Sequence, residues 1–313
     1  MARRMPSELN LLLAVDKPVG CTSHDVVGRV RRALGERRVG HAGTLDPLAS
    51  GVMVIGVGQA TRLLGRLTLD RKRYLARIAF GAETNTDDAE GEVTRRAEPN
   101  DDLASAAFAR QLLAEFVGEQ EQVPPAFSAI SVGGVRSYRR ARAGEEVELP
   151  ARTIEVYAAD LVAIDTVEGH AVWTVAFDVS KGTYIRSLAR DLGRAAGNAA
   201  HIADLRRTAS GSISIGSCAA LEGLDAAGAR AAALDPVSVL GVRAFALSDA
   251  MLVDVLHGRT LDPGALGIDS ADAQRQAPMA LVASGELRAL ARLEDGRLRM
   301  EDVFPQGIEG VRA

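Results

Sequence analysis

The sequence contains little that would support metal binding, disulfide bonding or insertion into a membrane. Only 2 cysteines and 5 histidines occur among its 313 residues, too few for a disulfide framework or for a His/Cys cluster at metal-ligand spacing. No apolar run reaches the roughly 18 residues that span a bilayer, and the run at residues 11–15 is too short for a secretory signal. We therefore expect a cytoplasmic protein with reduced thiols, no metal and no membrane association.

Nucleotide-binding signatures are absent as well. The sequence has neither a P-loop nor a glycine-rich dinucleotide fingerprint. We therefore predict that no cofactor is bound. With 313 residues, of which 47% are hydrophobic, the chain is long enough to bury one large core and one small one.

Charge is unevenly distributed along the chain. The formal net charge is −4, yet residues 1–80 hold 14 basic and 6 acidic side chains, a balance of +8. Residues 244–313 hold 7 basic and 11 acidic side chains, a balance of −4. A basic N-terminal part within an acidic chain fits a localised phosphate-binding face, although a solvated surface of mixed charge gives the same pattern.

A glycine-punctuated stretch around Asp46 carries the strongest functional signal. Its sequence is Arg38-Val-Gly-His-Ala-Gly-Thr-Leu-Asp-Pro-Leu-Ala-Ser-Gly51. The glycines permit backbone conformations that other residues resist, and Pro47 keeps Asp46 out of helical geometry. Residues 52–57 are apolar and predict a buried strand. The carboxylate is thus expected on a constrained turn, although an Asp-Pro pair taken alone is usually only a turn.

This stretch resembles the Gly-His-Thr-Gly-Thr-Leu-Asp-Pro motif of the bacterial tRNA pseudouridine-55 synthase (TruB) family, which isomerises one uridine in the T-loop of tRNA. Five further blocks follow the family order: residues 16–23, 72–74, 122–134, 180–193 and 201–207. The resemblance implies that Asp46 is the catalytic carboxylate and Tyr74 the active-site tyrosine. It also places Arg186 near the loop, where a guanidinium would keep Asp46 ionised.

The resemblance further implies a set of substrate contacts. Leu205 would line the base pocket, and His41 would fill the place of the base that is flipped out of the tRNA, at a cost of about a few kcal/mol. Lys17, Lys181 and Tyr184 lie in the matching blocks and are assigned to substrate binding. A lone histidine in a loop is otherwise usually a polar surface residue.

Residues 120–152 resemble the RNA-clasping thumb insertion of the family. Arg136, Tyr138 and Arg142 are its predicted RNA contacts, because interleaved arginines and tyrosines can bind phosphates and stack on bases. Two positions depart from the family, since Phe127 replaces a tyrosine and Ser131 replaces a lysine. A surface hairpin with solubilising charge is the alternative interpretation.

Two local predictions concern the helix that precedes the Asp46 loop and an acidic stretch that follows it. Ser23 is a good N-cap for a helix that starts at His24 and stops at Gly35. The acidic stretch at residues 83–101 includes Asp87 and Asp88, which we interpret as part of a solvated or hydrogen-bonded loop rather than as metal ligands.

The resemblance implies an α+β fold. Residues 1–240 would form a catalytic domain around a central, mostly antiparallel mixed sheet, and residues 241–313 a small β-rich PUA-like module. The expected function is the isomerisation of uridine 55 by a monomer that binds the T-arm of tRNA and needs no protein partner.

Two alternative functions stay open, as does the chemical route. The first alternative is a tRNA-binding folding factor in which catalysis is secondary, and the second is a related synthase directed by a guide RNA. The residues do not choose between attack of Asp46 on carbon 6 of the base, attack on carbon 1 of the ribose, and removal of a proton from carbon 2.

Overall fold

The computed structural model describes residues 7–68, 71–128, 131–132, 135–137, 140, 145, 149–268 and 277–312, with the backbone alone at 131–132 and 135–136. Within these residues the helices are α1 (Ser23–Leu34), α2 (Leu64–Leu67), α3 (Ala106–Glu115), α4 (Ile185–Ala195), α5 (Ala226–Ala231), α6 (Pro236–Leu240) and α7 (Asp249–Leu256). The strands are β1 (Leu11–Lys17), β2 (Val39–Ala42), β3 (Ser50–Val57), β4 (Lys72–Phe80), β5 (Ala82–Thr84), β6 (Val93–Arg96), β7 (Gly118–Gln122), β8 (Ser131–Val132), β9 (Val135–Arg136), β10 (Arg152–Val167), β11 (His170–Val179), β12 (Ala200–Ser210), β13 (Ile213–Ser214), β14 (Arg243–Ala246), β15 (Met279–Ala283), β16 (Glu286–Glu294) and β17 (Arg297–Ile308).

A large sheet forms the frame of the molecule. In the described part of the chain it has nine strands, in the order β1-β3-β12-β4-β11-β10-β7, with β2 paired to β3 and β13 paired to β12. The pairing of β3 with β12 is parallel, whereas the other pairings in this sheet are antiparallel. The predicted α+β fold with a mostly antiparallel mixed sheet is therefore confirmed.

Strand β3 is buried along its whole length because both of its faces are covered. Successive side chains of a strand point to opposite faces. Met53 and Ile55 pack in the cluster that contains the apolar residues of α1, whereas Val52 and Val54 pack in the cluster that contains α2 and strands of the C-terminal sheet. This explains why the sequence of β3 is continuously apolar rather than alternating.

Helices α3 and α4 cover the other end of the sheet. Their apolar side chains share one cluster with Trp173 and Phe177 of β11 and with Leu45 and Ala49 from the loop around Asp46. The floor of that loop therefore belongs to the main core.

Helix α1 begins one residue earlier than the sequence predicts. Thr22 is its N-cap: the Thr22 hydroxyl accepts a hydrogen bond from the Asp25 amide at 3.1 Å, and the Asp25 carboxylate accepts one from the Thr22 amide at 2.9 Å. This reciprocal capping box satisfies two free amides. The prediction of Ser23 as N-cap is wrong, because its hydroxyl is used elsewhere, whereas the predicted stop at Gly35 is confirmed by its left-handed φ of 65°.

The C-terminal strands form a separate sheet in the order β14-β15-β16-β17. The sheet is tied to the N-terminal part by ion pairs from Arg62 to Asp302 at 2.6 Å and from Arg66 to Glu301 at 2.8 Å. Arg62 also stacks on Phe304, with its guanidinium carbon 5.1 Å from the ring centre. The acidic end of the chain is thus used to neutralise arginines of the basic half.

Candidate active site

Asp46 lies on a tight turn opposite a buried arginine. The Asp46 carbonyl accepts a hydrogen bond from the Ala49 amide at 3.1 Å, which closes the turn. The Arg186 Nε atom is 3.0 Å from Asp46 Oδ2, and the two side chains are 5% and 37% exposed. The Nε–H is not directed at the oxygen, since this atom has no hydrogen-bond partner. The contact is therefore an ion pair that leaves the carboxylate open on its solvent side.

The turn is fixed to α1 by a single hydroxyl. Ser23 Oγ donates a hydrogen bond to the Leu45 carbonyl at 3.0 Å and accepts one from the Leu45 amide at 2.9 Å. Both residues are buried, so water does not compete for these backbone groups. One side chain thus holds the residue directly before Asp46 at two points.

Two buried cations hold the carbonyl groups of the turn from below. Lys17 Nζ donates to the carbonyls of Pro18, Pro47 and Ala49, at 2.9, 3.3 and 2.6 Å. Burial lowers the pKa of Lys17 from its usual value, against the opposing influence of Cys21 and Asp46.

Arg207 holds the opposite side of the turn from β12. It donates to the carbonyls of Val52, Gly43 and Thr44 at 2.7, 3.0 and 3.5 Å. Neither Arg207 nor Lys17 forms an ion pair with a carboxylate in the described chain, and both are fully buried. The carbonyls are turned toward these cations, which leaves the Asp46 side chain on the outer side.

Gly51 is required where the turn joins β3. Its φ is +107°, and a Cβ at this position would lie 2.1 Å from the Arg207 carbonyl oxygen. Gly51 pairs with Arg207 in the parallel register of β3 and β12. Any side chain here would separate the two strands that carry the turn and its supporting arginine.

Arg186 also joins the turn to the acidic stretch and the thumb. Its Nη1 donates to the Thr86 carbonyl at 2.9 Å and lies 3.4 Å from the Asp88 carboxylate, while its Nη2 donates to the Phe127 carbonyl at 3.1 Å. The last contact uses the backbone of Phe127, so the replacement of the family tyrosine leaves it unaffected. These bonds fix the guanidinium in one orientation.

Asp87 and Asp88 lie in a buried, hydrogen-bonded part of the acidic stretch. Asp87 and Asp88 are both buried, and Arg190 Nη1 is 2.9 Å from the Asp87 carboxylate. Burial raises the pKa of Asp87 to about 6, against the influence of Arg190. At Asp87 and Asp88 the structure shows hydrogen bonds, to Arg190 and to Thr86.

Tyr74 and Leu205 lie on neighbouring strands beside the turn. In the pairing of β4 with β12, Tyr74 is opposite Arg207 and Leu205 is opposite Ala76. Leu205 is buried, Tyr74 is partly buried, and both belong to the cluster that contains Leu45. The Tyr74 hydroxyl has no hydrogen-bond partner among the described side chains and backbone. The two residues thus pack in the same cluster as Leu45, the residue before Asp46.

His41 lies in β2, opposite Ile55 of β3. Its ring meets that of His24 from α1 edge to face, with ring centres 5.9 Å apart. Burial lowers the pKa of His41, and the nearby His24 and Arg207 lower it further. Its Nδ1 atom is buried without a partner. A neutral imidazole at about pH 7 follows from this environment.

Tyr184 and Lys181 lie at the start of α4. The Tyr184 amide donates to the Gln122 side-chain oxygen at 2.8 Å, and its carbonyl accepts from the Gln122 side-chain nitrogen at 3.0 Å. The guanidinium carbon of Arg152 lies 4.5 Å from the centre of the Tyr184 ring. Lys181 is exposed.

Only part of the thumb insertion lies within the described residues. Tyr138 and Arg142 lie outside the described residues, and Arg136 is described only as backbone in β9. The predictions for these three residues stay predictions.

Several supporting residues were not identified from the sequence. They are Ser23 in its role at Leu45, Gln122, Asp88 and Arg207. Each acts on a residue distant along the chain, with separations of 22, 62, 98 and 155 positions for the contacts given above. Ser23, Gln122 and Arg207 lie in blocks that resemble the family, but such a block does not say which distant residue each of them contacts.

Neither a metal site nor a membrane span was found in the ranges covered by the structure. No group of three or more His, Cys, Asp or Glu side chains is arranged to hold a metal ion. No helix there is both long and apolar enough to cross a membrane.

Comparisons with known proteins match the chain to one family. Residues 31–185 match the family model for the N-terminal domain of TruB family pseudouridylate synthases, and residues 186–240 match that for the C-terminal domain of tRNA pseudouridylate synthase B. The tRNA pseudouridine synthase B of Thermobifida fusca (strain YX) is 58% identical over 148 residues, 47% of this chain and 49% of the relative. That of Deinococcus radiodurans is 48% identical over 155 residues, 49% of each chain. The chain thus spans about half the length of the curated relatives it matches.

Solved structures show the same fold over most of the chain. A chain in the crystal structure of a Cbf5-Nop10-Gar1 complex is 28% identical with a TM-score of 0.63, over 94% of this chain and 84% of that one. A chain in the structure of an H/ACA RNP bound to a substrate RNA is 25% identical with a TM-score of 0.64, over 94% of this chain and 84% of that one. With the two adjoining matches to TruB models, these likenesses show that the chain belongs to the TruB family of pseudouridylate synthases.

Proposed function

We propose that this protein isomerises uridine 55 in the T-loop of tRNA to pseudouridine, with Asp46 as the catalytic carboxylate. The observation that carries the proposal is the ion pair between the half-exposed Asp46 and the buried Arg186. A guanidinium at this distance attracts the Asp46 carboxylate and holds it in place. An ionised aspartate on a rigid turn can act as a covalent nucleophile.

The reaction is an isomerisation and is balanced within the nucleoside. The bond between N1 of uracil and carbon 1 of the ribose breaks, the base turns, and carbon 5 bonds to the ribose. Carbon 5 loses a proton and N1 gains one, so no oxidant, reductant or energy source is consumed. Three routes need only one carboxylate: attack of Asp46 on carbon 6 of the base, attack on carbon 1 of the ribose, and removal of a proton from carbon 2.

The neighbouring side chains supply the pocket in this proposal. Tyr74 stacks on one face of the flipped uracil, and Leu205 closes the other. Neutral His41 enters the tRNA loop where the base has left, and Lys181 and Tyr184 contact the RNA nearby. Lys17 serves the same site by holding the carbonyls of the turn.

The remaining parts of the proposal concern organisation. We assign residues 1–240 to the catalytic domain, 120–152 to an RNA-clasping thumb, and 241–313 to a PUA-like module. Arg136, Tyr138 and Arg142 are the thumb residues that we expect to contact the T-arm. The protein would act in the cytoplasm as a monomer, with tRNA as its partner.

The test compares wild type with Asp46→Asn on an unmodified tRNA transcript and on its isolated T-arm. Asparagine keeps the shape of the side chain and removes its charge. Asp178→Asn is the matched control, because it removes another arginine-paired aspartate, the partner of Arg71, away from the turn. Pseudouridine is mapped in the product, and release of tritium from 5-labelled uridine is timed.

We expect wild type and Asp178→Asn to modify the T-loop at similar rates and Asp46→Asn to bind tRNA without modifying it. If none of the three proteins modifies either RNA while all bind tRNA, the isomerase proposal fails. The folding-factor hypothesis, or a different RNA target, then takes its place.

A further inference from the structure

Arg152 has an unused hydrogen-bonding edge close to the candidate active site. Its guanidinium lies over the ring of Tyr184 at 4.5 Å. Its Nε and Nη2 atoms are both buried without a hydrogen-bond partner. These two nitrogens form one edge of the guanidinium, the fork that binds a carboxylate or a phosphate with two parallel hydrogen bonds. Leaving such donors buried and unpaired is unfavourable.

A second arginine in this protein shows how the same arrangement looks when the fork is occupied. Arg71 lies over the ring of Tyr157 at 3.8 Å. Its Nε and Nη2 donate to the two carboxylate oxygens of Asp178 at 3.1 and 2.8 Å. The stack on a tyrosine ring is thus common to both sites, whereas the described residues provide an anion at Arg71 and none at Arg152.

The position of Arg152 links the thumb to the site. It is the first residue of β10, directly after residues 120–151, and it pairs with Gln122 across the strands. Gln122 holds the backbone of Tyr184 through both of its polar atoms. Tyr184 is the N-cap of α4, the helix whose first turn carries Arg186. The unused fork therefore lies over the ring of Tyr184, which is two residues along the chain from Arg186, the residue that contacts Asp46.

Arg152 as a whole is partly exposed, whereas the two nitrogens of its fork are covered, so its side chain has to shift before a ligand reaches them. The side chain of Arg152 has no hydrogen bond or ion pair in the described chain, so such a shift would break none. A Cβ at Gly182 would be 3.8 Å from Arg152 Nη1, so the glycine leaves space beside the guanidinium. Lys181 next to it is exposed and adds a positive charge.

We propose that Arg152 binds one phosphate group of the RNA backbone, at the base of the thumb, with the Tyr184 ring holding its guanidinium flat. This inference rests on the proposed function for the choice of RNA as ligand. A planar fork matches a phosphate with two hydrogen bonds, which lysine cannot do. The phosphate supplies the anion that Asp178 supplies to Arg71.

The test measures the affinity for an isolated T-arm RNA at several salt concentrations. Arg152→Gln removes the charge and the fork, Arg152→Lys keeps the charge alone, and Arg71→Gln is the matched control. We expect Arg152→Gln to bind about tenfold more weakly, since a hydrogen bond to a charged group contributes about that factor. Its slope of log affinity against log salt should fall by about 1, as for the loss of one phosphate contact. Arg152→Lys should recover the slope but not the full affinity, and Arg71→Gln should match wild type.

A second experiment identifies the phosphate. T-arm RNAs that each carry one neutral methylphosphonate are compared on wild type and on Arg152→Gln. At one position the substitution should weaken binding to wild type and leave binding to Arg152→Gln unchanged.

Two results would overturn the proposal: unchanged affinity and salt slope in Arg152→Gln, or no methylphosphonate position that depends on Arg152. Both experiments measure binding, so their outcome is separate from whether wild type forms pseudouridine.

Discussion

Replacing Ser23 by alanine removes the hydroxyl that holds Leu45, and with it the fixed position of Asp46. The change deletes one oxygen atom and leaves the methylene group in place. Both backbone groups of Leu45 then lose the hydrogen bonds at 3.0 and 2.9 Å that Ser23 provides. Because Ser23 and Leu45 are buried, the amide and the carbonyl would have to stay unpaired or the turn would have to move.

The expected loss of stability follows from the unpaired amide and carbonyl of Leu45. A buried backbone group without a partner costs about 1–3 kcal/mol, so with two such groups the free energy of unfolding should fall by about 2–6 kcal/mol if the turn stays closed. If the turn opens instead, both groups can bind water and less stability is lost, but the next residue, Asp46, is displaced. A displacement of about 1 Å lowers a rate by about a hundredfold. We expect a mixture: a loss of about 2 kcal/mol in stability and a fall in kcat of ten- to a hundredfold, by the same principles.

Thr22→Ala is the matched control at the neighbouring position. It breaks the capping box with Asp25 and should cost about 1 kcal/mol of stability. It leaves the contact between Ser23 and Leu45 intact, so kcat should stay that of wild type. The assay is single-turnover release of tritium from 5-labelled uridine in T-arm RNA, combined with urea unfolding of each protein.

Two outcomes would contradict this prediction for Ser23→Ala. If Ser23→Ala keeps the wild-type kcat while losing stability, the turn does not depend on this hydroxyl for its catalytic geometry. If Thr22→Ala loses as much kcat as Ser23→Ala, the effect belongs to α1 as a whole.

Three further predictions concern other supports of the turn. Gly51→Ala should destabilise the protein by about 3 kcal/mol or more, because its Cβ would overlap the Arg207 carbonyl at 2.1 Å; an unchanged urea midpoint would contradict the parallel register. Lys17→Met should lower kcat while T-arm affinity stays within about threefold, since the ammonium is sealed among carbonyls; a large loss of affinity alone would instead support direct substrate contact. Asp87 has a folded pKa of about 6, above the usual 3.8, so its folded form retains a proton that the unfolded form releases. The free energy of unfolding of wild type, relative to Asp87→Asn, should therefore fall by up to about 3 kcal/mol as pH rises from about 4 to about 6; a rise would show that the Arg190 ion pair outweighs burial.

The sequence predicted the elements around the site better than their mutual contacts. The apolar run of β3 and the end of α1 at Gly35 follow from the apolar pattern and the turn residues. The capping residue of α1 was misassigned because Thr22 and Ser23 are both good N-caps, and only the structure shows that Leu45 engages the hydroxyl of Ser23.

The supports of the turn could not be predicted for a physical reason. Arg207 reaches Val52 across 155 positions, and this contact exists only because β12 lies between β3 and β4 in the sheet. Local patterns set which residues face inward, but they contain no information about which strand becomes the neighbour of another. Arg152 could not be predicted either, because only the structure shows that two of its nitrogens are buried without a hydrogen-bond partner.

The parallel pairing of β3 with β12 has a consequence for the order of folding. Strands β1, β2 and β3 can assemble early, because their contacts close short segments of chain. The pairing of β3 with β12, which places Arg207 beneath the Asp46 turn, joins residues far apart in the chain. It should form only after the intervening strands have joined the sheet, since contacts between distant residues form slowly. Competence for chemistry should therefore appear as one of the last events of folding, after most secondary structure has formed. A nascent chain released before β12 would carry Asp46 on an unsupported turn.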